Sequence, residues 1–369
     1  MSNGAPGDVP TSLCDWLEEH ADAIDCGSLD ALHLLPRLAD SGLYRWGVPG
    51  QFGGHANTDI GHAIEAIAAV GERSMAAAFV SWSQRVFIEF LLHTSNTALR
   101  DEYLTDLQVG RIAGASALSN AMKFLSGIES LQIEARRDGA GWKLNGIMPW
   151  VTNLRPQGYI VAAAVALPEG GAAVVALREN ATGLERTPDL ALLGLQSTNT
   201  AAIRLHDTPA DTSILLHAQA HEFLPQLRPA FVGLQCAMSI GLARRALAET
   251  RRAGSGRAAV TSLAGPLDET ATRVERLTRD LVQGVRDGSL VARPMDLFEL
   301  RIGLAEAASA AVQLELQAAG GLAYLQGRQP GFPRRWREAA FVPIVTPSLV
   351  QLKTEIARRR QALAAGAAQ

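Results

Sequence analysis

Gly110-Arg-Ile-Ala-Gly-Ala-Ser-Ala-Leu-Ser-Asn and Gly141-Trp-Lys-Leu-Asn-Gly-Ile-Met-Pro-Trp-Val-Thr-Asn bracket the stretch that decides the fold. This is the first part of the chain that reads as sheet, and long helical patterns lie on either side. A β layer between two helical halves is therefore expected. Inside the bracket, Leu131-Gln-Ile-Glu-Ala-Arg-Arg and Trp142-Lys-Leu-Asn-Gly flank Asp138-Gly-Ala-Gly, which is hairpin chemistry. If a cofactor is bound, it is expected at this layer.

Working outward, Tyr159 to Leu167 and Ala172 to Leu177 are near-continuous apolar runs of the kind found in buried strands, and Ala201-Ala-Ile-Arg-Leu closes the set. Upstream, Thr11 to Gly42 reads as two helices, the second marked by Leu32, Leu34, Leu35, Leu38 and Leu43. Helices follow at Asp59 to Val70, Ser74 to Leu92 and Thr97 to Val109, and His93 answers the dipole at the end of the second. Between them Gly47-Val-Pro-Gly-Gln-Phe-Gly-Gly is a loop, either facing a ligand or simply joining helices. Downstream, helical patterns cover Pro229 to Thr250, Asp268 to Gly288, Met295 to Ala319 and Ser348 to Leu363, with Ser348 as an N-cap. The Met295 to Ala319 helix is almost wholly apolar and needs cover, in a bundle or at a subunit contact. The expected class is α+β, with an N-terminal helical domain (1–110), a middle β-barrel or sheet domain (111–216) and a C-terminal four-helix-bundle-like domain (217–369).

At 369 residues the chain is long enough for two or three packed units. Its net charge of −3 is spread evenly, and the short clusters Arg334-Arg335 with Arg337 and Arg358-Arg359-Arg360 sit among apolar residues, which argues against nucleic acid. The first residues, Met1-Ser-Asn-Gly-Ala-Pro-Gly-Asp, lack a targeting pattern, and the longest apolar run, Tyr159 to Leu167, is too short to span a bilayer. A cytoplasmic protein is expected, with no membrane partner. Cys14, Cys26 and Cys236 have neither metal nor redox spacing and read as small buried hydrophobes.

Several short motifs stand in a familiar order: Gly47 to Gly54; Gly110 to Asn120, read as a strand ending Ala117-Leu-Ser-Asn; Leu144-Asn-Gly-Ile-Met-Pro-Trp-Val-Thr-Asn; Gly194-Leu-Gln-Ser-Thr-Asn-Thr-Ala; Gln317-Ala-Ala-Gly-Gly-Leu-Ala-Tyr; and Arg334-Arg-Trp-Arg-Glu-Ala. Together, from about Gly42 to Arg358, they resemble the acyl-CoA dehydrogenase family of flavoproteins. The resemblance implies FAD in the middle domain. Trp150 is then the apolar plate for the isoalloxazine ring, Thr152 a hydrogen-bonding neighbour, and Ser119 with nearby amides the partners of the pyrimidine edge. Without the family, Trp150 is a core aromatic and Thr152 a turn residue. Gln317, Gly320 and Gly321 resemble the segment that meets the ADP part of FAD across a subunit contact, although the glycines also suit a helix C-cap.

The family's reaction removes a proton beside a thioester while the next carbon gives hydride to the flavin, so a carboxylate base is required. At the usual position of that glutamate this chain has Thr346, within Val345-Thr-Pro-Ser. Some members carry the base on an earlier helix, but the matching Leu224-Pro-Gln-Leu-Arg-Pro-Ala-Phe has no carboxylate; Glu222 lies before two prolines and Glu355 beyond Thr346 reads as a solvated helix residue. The Arg-x-x-Phe-Gly motif is replaced around Val260 and Leu263-Ala264, with Arg257 nearby, and a Gly-Ser-Asp pattern has become Met122-Lys-Phe-Leu-Ser-Gly-Ile-Glu. Three functions follow. The first is an FAD enzyme oxidising an acyl thioester with its base unassigned. In the second, a flavin oxidase or monooxygenase needs no such base, though the histidine often expected late in such chains is missing after His221. The third is a subunit inactive by itself, paired with a Glu-bearing homologue. A homodimer or homotetramer is expected for the enzyme.

Overall fold

The computed structural model describes residues 7–125, 127, 129–254, 262–325 and 327–367, so Arg257 and Val260 lie outside the described residues, as do Met1 to Pro6. Among the described residues the chain opens with α1 (Thr11–Cys26), α2 (Leu34–Asp40), α3 (Ile60–Gly71), α4 (Met75–His93) and α5 (Thr97–Gln108). Polar side chains start three of them. Asp59 accepts from the Gly61 amide, Ser74 from Ala77 and Asn96 from Leu99, each satisfying an amide that the first turn leaves unpaired. α4 is long and apolar enough to cross a bilayer, yet 94% of its most apolar window is buried inside the protein. Its Ser, Gln, Arg and Glu residues break the apolar run that a sequence scan looks for.

The sheet follows: β1 (Ala113–Ser116), β2 (Ile133–Asp138), β3 (Gly141–Val151), β4 (Tyr159–Ala166), β5 (Ala172–Arg178), β6 (Leu184–Arg186), β7 (Ala201–Ala210) and β8 (Leu215–His217). Its order is β6-β7-β3-β2-β4-β5-β8, with β1 parallel to β4. The β2–β3 hairpin closes on Asp138 opposite Gly141, with Gly139 at φ +59°. β4 and β5 are buried along nearly all their length, as their unbroken apolar runs require. The stretch Gly110 to Asn120 is not one strand. β1 ends at Ser116, and Ser119 begins the short helix α6 (Ser119–Leu125). Two short strands, β6 and β8, have too few residues to show a period.

The last part packs α7 (Ala220–Gly254), α8 (Ala264–Arg286), α9 (Ser289–Ala292), α10 (Pro294–Ala319), α11 (Phe332–Phe341) and α12 (Leu349–Ala367). α7 starts at Ala220, not at Pro229. Pro225 and Pro229 lie inside it, each at the cost of one backbone hydrogen bond. α10 is covered within its own chain, by α7, α8, α11 and α12, so its apolar surface does not call for a second subunit. Two charges are buried on it: Glu315, which pairs with Arg335 of α11, and Arg301. α11 falls where arginines obscure the helical pattern. Of the cysteines, Cys236 is buried, Cys14 is half-buried and Cys26 is exposed, so only Cys236 is a core residue.

Candidate functional site

A cavity of about 610 Å³ opens between β3, α6, the 192–200 turn and helices α4, α7 and α11. A volume of this size lies within the ~300–1,000 Å³ of small-molecule sites. Ser119, Trp150, Thr152 and Thr346 all line it. Trp150 is 64% exposed, so it is not a core aromatic: its ring is left bare at the cavity. Gln317, Gly320 and Gly321 are not among the lining residues. They lie at the end of α10 and in the turn that follows, where a Cβ on either glycine would meet no atom within 4 Å. The Gly47 to Gly54 loop does not line the cavity either. It is a tight interhelical turn in which a Cβ at Gly54 would fall 1.7 Å from the Val48 carbonyl.

A knot of polar groups buried under the sheet edge sets the position of Thr152. The single hydroxyl proton of Ser83 on α4 is shared between the carbonyls of Gly114 (3.1 Å) and Thr152 (3.2 Å). Gln84 donates to Leu107 O (2.8 Å) and Ile112 O (2.9 Å), while its oxygen accepts from Gly114 N (2.7 Å) and Asn153 Nδ2 (2.8 Å). All four hydrogen-bonding positions of a buried amide are thus filled, which fixes it in one orientation. Asn153 and Leu154 then donate to the carbonyls of Thr198 and Asn199, bringing the 192–200 turn against the end of β3. Buried Asp25 of α1 fastens that turn from the other side. It accepts from the Leu195 amide (2.8 Å) and from Arg337 of α11, and a Cβ on Gly194 would sit 2.7 Å from its Oδ1.

Across the cavity stands an aromatic wall. Phe79 and Trp82 stack with centroids 5.5 Å apart, Phe341 meets Phe79 edge-on at 4.9 Å, and Phe231 meets Trp82 at 5.1 Å. The Trp82 indole N–H donates to Phe231 O (3.1 Å), so the ring adds no unpaired donor. Beside this wall Thr346 is held from beneath: Gln235 donates to its carbonyl (2.7 Å) and accepts from Arg301 Nε (2.8 Å), and Arg301 donates to Val342 O (2.7 Å). Burial pushes the Arg301 pKa down.

The lining residues include one carboxylate, Glu129. It is paired with Lys123 (2.7 Å) and accepts from Asn120, and the Lys123 hydrogen bond holds its pKa below the usual value. Glu355 is absent from the cavity. Contrary to its reading as solvated, it is buried and paired with Arg359 at 2.6 Å. Glu222 is exposed and lies outside the cavity. The aromatic wall was legible only as Phe79 and Trp82 three apart on one helix. Glu129, Lys123, Thr198 and Thr200 sat in quoted motifs without a spacing that singled them out. Ser116 Oγ, at the same wall, is buried and bonds to no group among the described residues.

No family model and no curated protein matches the chain. Solved structures match it nearly end to end. Butyryl-CoA dehydrogenase from Megasphaera elsdenii aligns with a TM-score of 0.81 at 16% identity, covering 98% of this chain and 99% of that one. An acyl-CoA dehydrogenase from Geobacillus kaustophilus gives 0.80 at 15%, with coverages of 95% and 96%. The prolyl acyl carrier protein oxidase AnaB gives 0.80 at 16%, with 97% and 99%. At such identities the likeness is one of fold.

Proposed function

We propose that this chain, which has the acyl-CoA dehydrogenase fold, is an FAD-dependent oxidoreductase acting on an acyl thioester. One observation carries the reading: Ser119, Trp150, Thr152 and Thr346 meet around a single chamber with a large aromatic face left bare. Bound FAD would supply the acceptor for the two electrons that leave the substrate carbon. Trp150 offers a plate for the ring, Ser119 meets its pyrimidine edge, and Thr152 holds it from the bend after β3. The wall of Phe79, Trp82, Phe231 and Phe341 excludes water and receives the apolar part of the substrate beside Thr346. The orphaned hydroxyl of Ser116, a residue lining the same cavity, fits a ligand with polar edges.

Gln317, Gly320 and Gly321 meet the ADP part of FAD held by a second subunit, in a homodimer or homotetramer. Exposed Leu322, Tyr324 and Leu325 next to them support that contact. No residue of the cavity is assigned as the base. Thr346 carries a hydroxyl, and Glu129, already ionised beside Lys123, is a weak proton acceptor. This lack favours a second reading, in which the same ring site serves an oxidase or monooxygenase that removes no proton beside a thioester. Pairing with a Glu-bearing homologue is the third.

The test is the visible spectrum of the purified chain before and after FAD is added, with its mass in solution measured. A stoichiometric flavin spectrum that an acyl thioester bleaches without oxygen supports the first reading. Flavin that no thioester bleaches, but that consumes oxygen once reduced, moves the assignment to the second. A colourless chain that takes up no FAD overturns both for the isolated subunit and leaves the third.

A further inference from the structure

Three threonine hydroxyls run in series from the cavity into the protein and end on a carbonyl. Thr152 Oγ1 lies 3.0 Å from Thr200 Oγ1, which lies 2.8 Å from Thr198 Oγ1, which lies 2.7 Å from Leu195 O. A carbonyl oxygen has no hydrogen to give, so the last contact is a bond only if Thr198 donates it. Each hydroxyl owns one proton. With the Thr198 proton committed, Thr200 must donate to Thr198, and Thr152 must donate to Thr200. All three residues are buried, and the Leu195 end is fixed by Asp25 through the Leu195 amide. Thr152, which lines the cavity, therefore has no hydroxyl proton left to offer a ligand there.

We propose that this relay makes Thr152 an obligate hydrogen-bond acceptor toward the cavity ligand, and so favours the reduced over the oxidised form of a flavin bound there. The inference rests on the flavin reading above. That reading takes Thr152, just past the end of β3 and two residues from the Trp150 plate, to face the reacting edge of the ring. The ring nitrogen there is an acceptor when oxidised. Two electrons and a proton, delivered by substrate or by a chemical reductant, turn it into an N–H donor. Lone pairs facing an acceptor repel, whereas lone pairs facing N–H make a hydrogen bond. One buried hydrogen bond gained in a single state corresponds to roughly tenfold in the ratio of the two affinities, or ~30 mV for a two-electron couple.

The experiment uses the full chain reconstituted with FAD, titrated with dithionite against an indicator dye, together with the Kd for oxidised FAD. Thr198→Val removes the hydroxyl that orients the relay, frees the Thr200 proton to turn to Thr152, and frees the Thr152 proton to turn to the ligand. The expected result is a midpoint potential lower by ~30 mV, with oxidised FAD bound as tightly as before or more tightly. A merely structural defect weakens both forms and leaves their ratio alone. Thr200→Val, which takes away the acceptor of the Thr152 proton, moves the potential the same way. Thr198→Ser keeps the hydroxyl and the wild-type value. A potential unmoved or raised in both valine variants overturns the relay while the flavin assignment stands, and a chain that takes up no flavin overturns both.

Discussion

Trp150 has the one property that a stacking plate must have and a core aromatic lacks: a bare face beside a cavity. Because its ring supports little of the protein's own packing, Trp150→Ala is expected to weaken FAD binding by about tenfold, near the upper end of the ~0.5–1.5 kcal/mol assigned to aromatic stacking, with little change in Tm. Fluorescence titration with FAD and a thermal melt of the free chain check the two halves of that statement. Equal affinity would remove Trp150 from the site. At this scale the sequence was informative for residues embedded in a motif, since Trp150, Thr152, Ser119 and Thr346 do share one chamber. It was silent on Glu129, whose partners Lys123 and Asn120 are near in sequence but are brought to it by a turn that no spacing encodes, and on Thr200, whose partner Thr152 is far away in sequence.

α11 shows why an element can be missed and yet be indispensable. Its Arg334, Arg335 and Arg337 read as a short cationic run, but each is spent inside the protein, on Asp22 and Glu338, on Glu315 and on Asp25. Glu338 also accepts from the Met75 amide at the start of α4 (3.0 Å), so it caps one helix while neutralising another. Removing that carboxylate leaves the Met75 amide unpaired and the buried guanidinium of Arg334 with Asp22 as its one remaining carboxylate partner. Glu338→Ala is therefore expected to cost about 3–5 kcal/mol, the range for breaking a buried pair from one side, and Glu338→Gln distinctly less because the Met75 bond survives. Urea unfolding of both variants is the measurement; equal losses would mean that the charge pair carries all the effect. Helices with a clear apolar stripe, such as α3 behind its Asp59 cap and α8 through Val274, Leu277, Leu281 and Val285, are legible from periodicity alone. The Ala, Gly and Leu pattern marks α7 only from Pro229 to Thr250, whereas tertiary packing extends it back to Ala220 with two prolines inside it.

For the molecule as a whole, surface charge links the last helices. Glu306 of α10 bonds Lys353 of α12 (3.0 Å) and Arg273 of α8 (3.3 Å), and the Lys353 bond leads in holding its pKa below the ordinary 4.5. A carboxylate depressed in the folded state adds stability above its unfolded pKa and loses it as the pH falls through the folded value. Wild type should thus lose more of its urea midpoint between neutral and acid pH than Glu306→Gln does; parallel curves would show that the triad contributes nothing. The apolar patch at Tyr324, 91% exposed, and Leu325, 55% exposed, belongs to the same scale. Tyr324→Asp with Leu325→Asp is expected to convert a dimer or tetramer to monomer in sedimentation velocity, and an unaltered sedimentation coefficient would place the subunit contact elsewhere.

The Gln84 amide ties α4 to β1 and, through Asn153, to the bend after β3 that carries Thr152. Occupancy of the cavity and docking of the N-terminal helices therefore belong to one cooperative unit. A ligand held at Thr152 slows the opening of α4 even though most of that helix never touches it. Amide hydrogen exchange along Met75–His93 should then slow on ligand binding by the same factor as exchange in β1, and a chain stripped of ligand should loosen first where α4 meets the sheet.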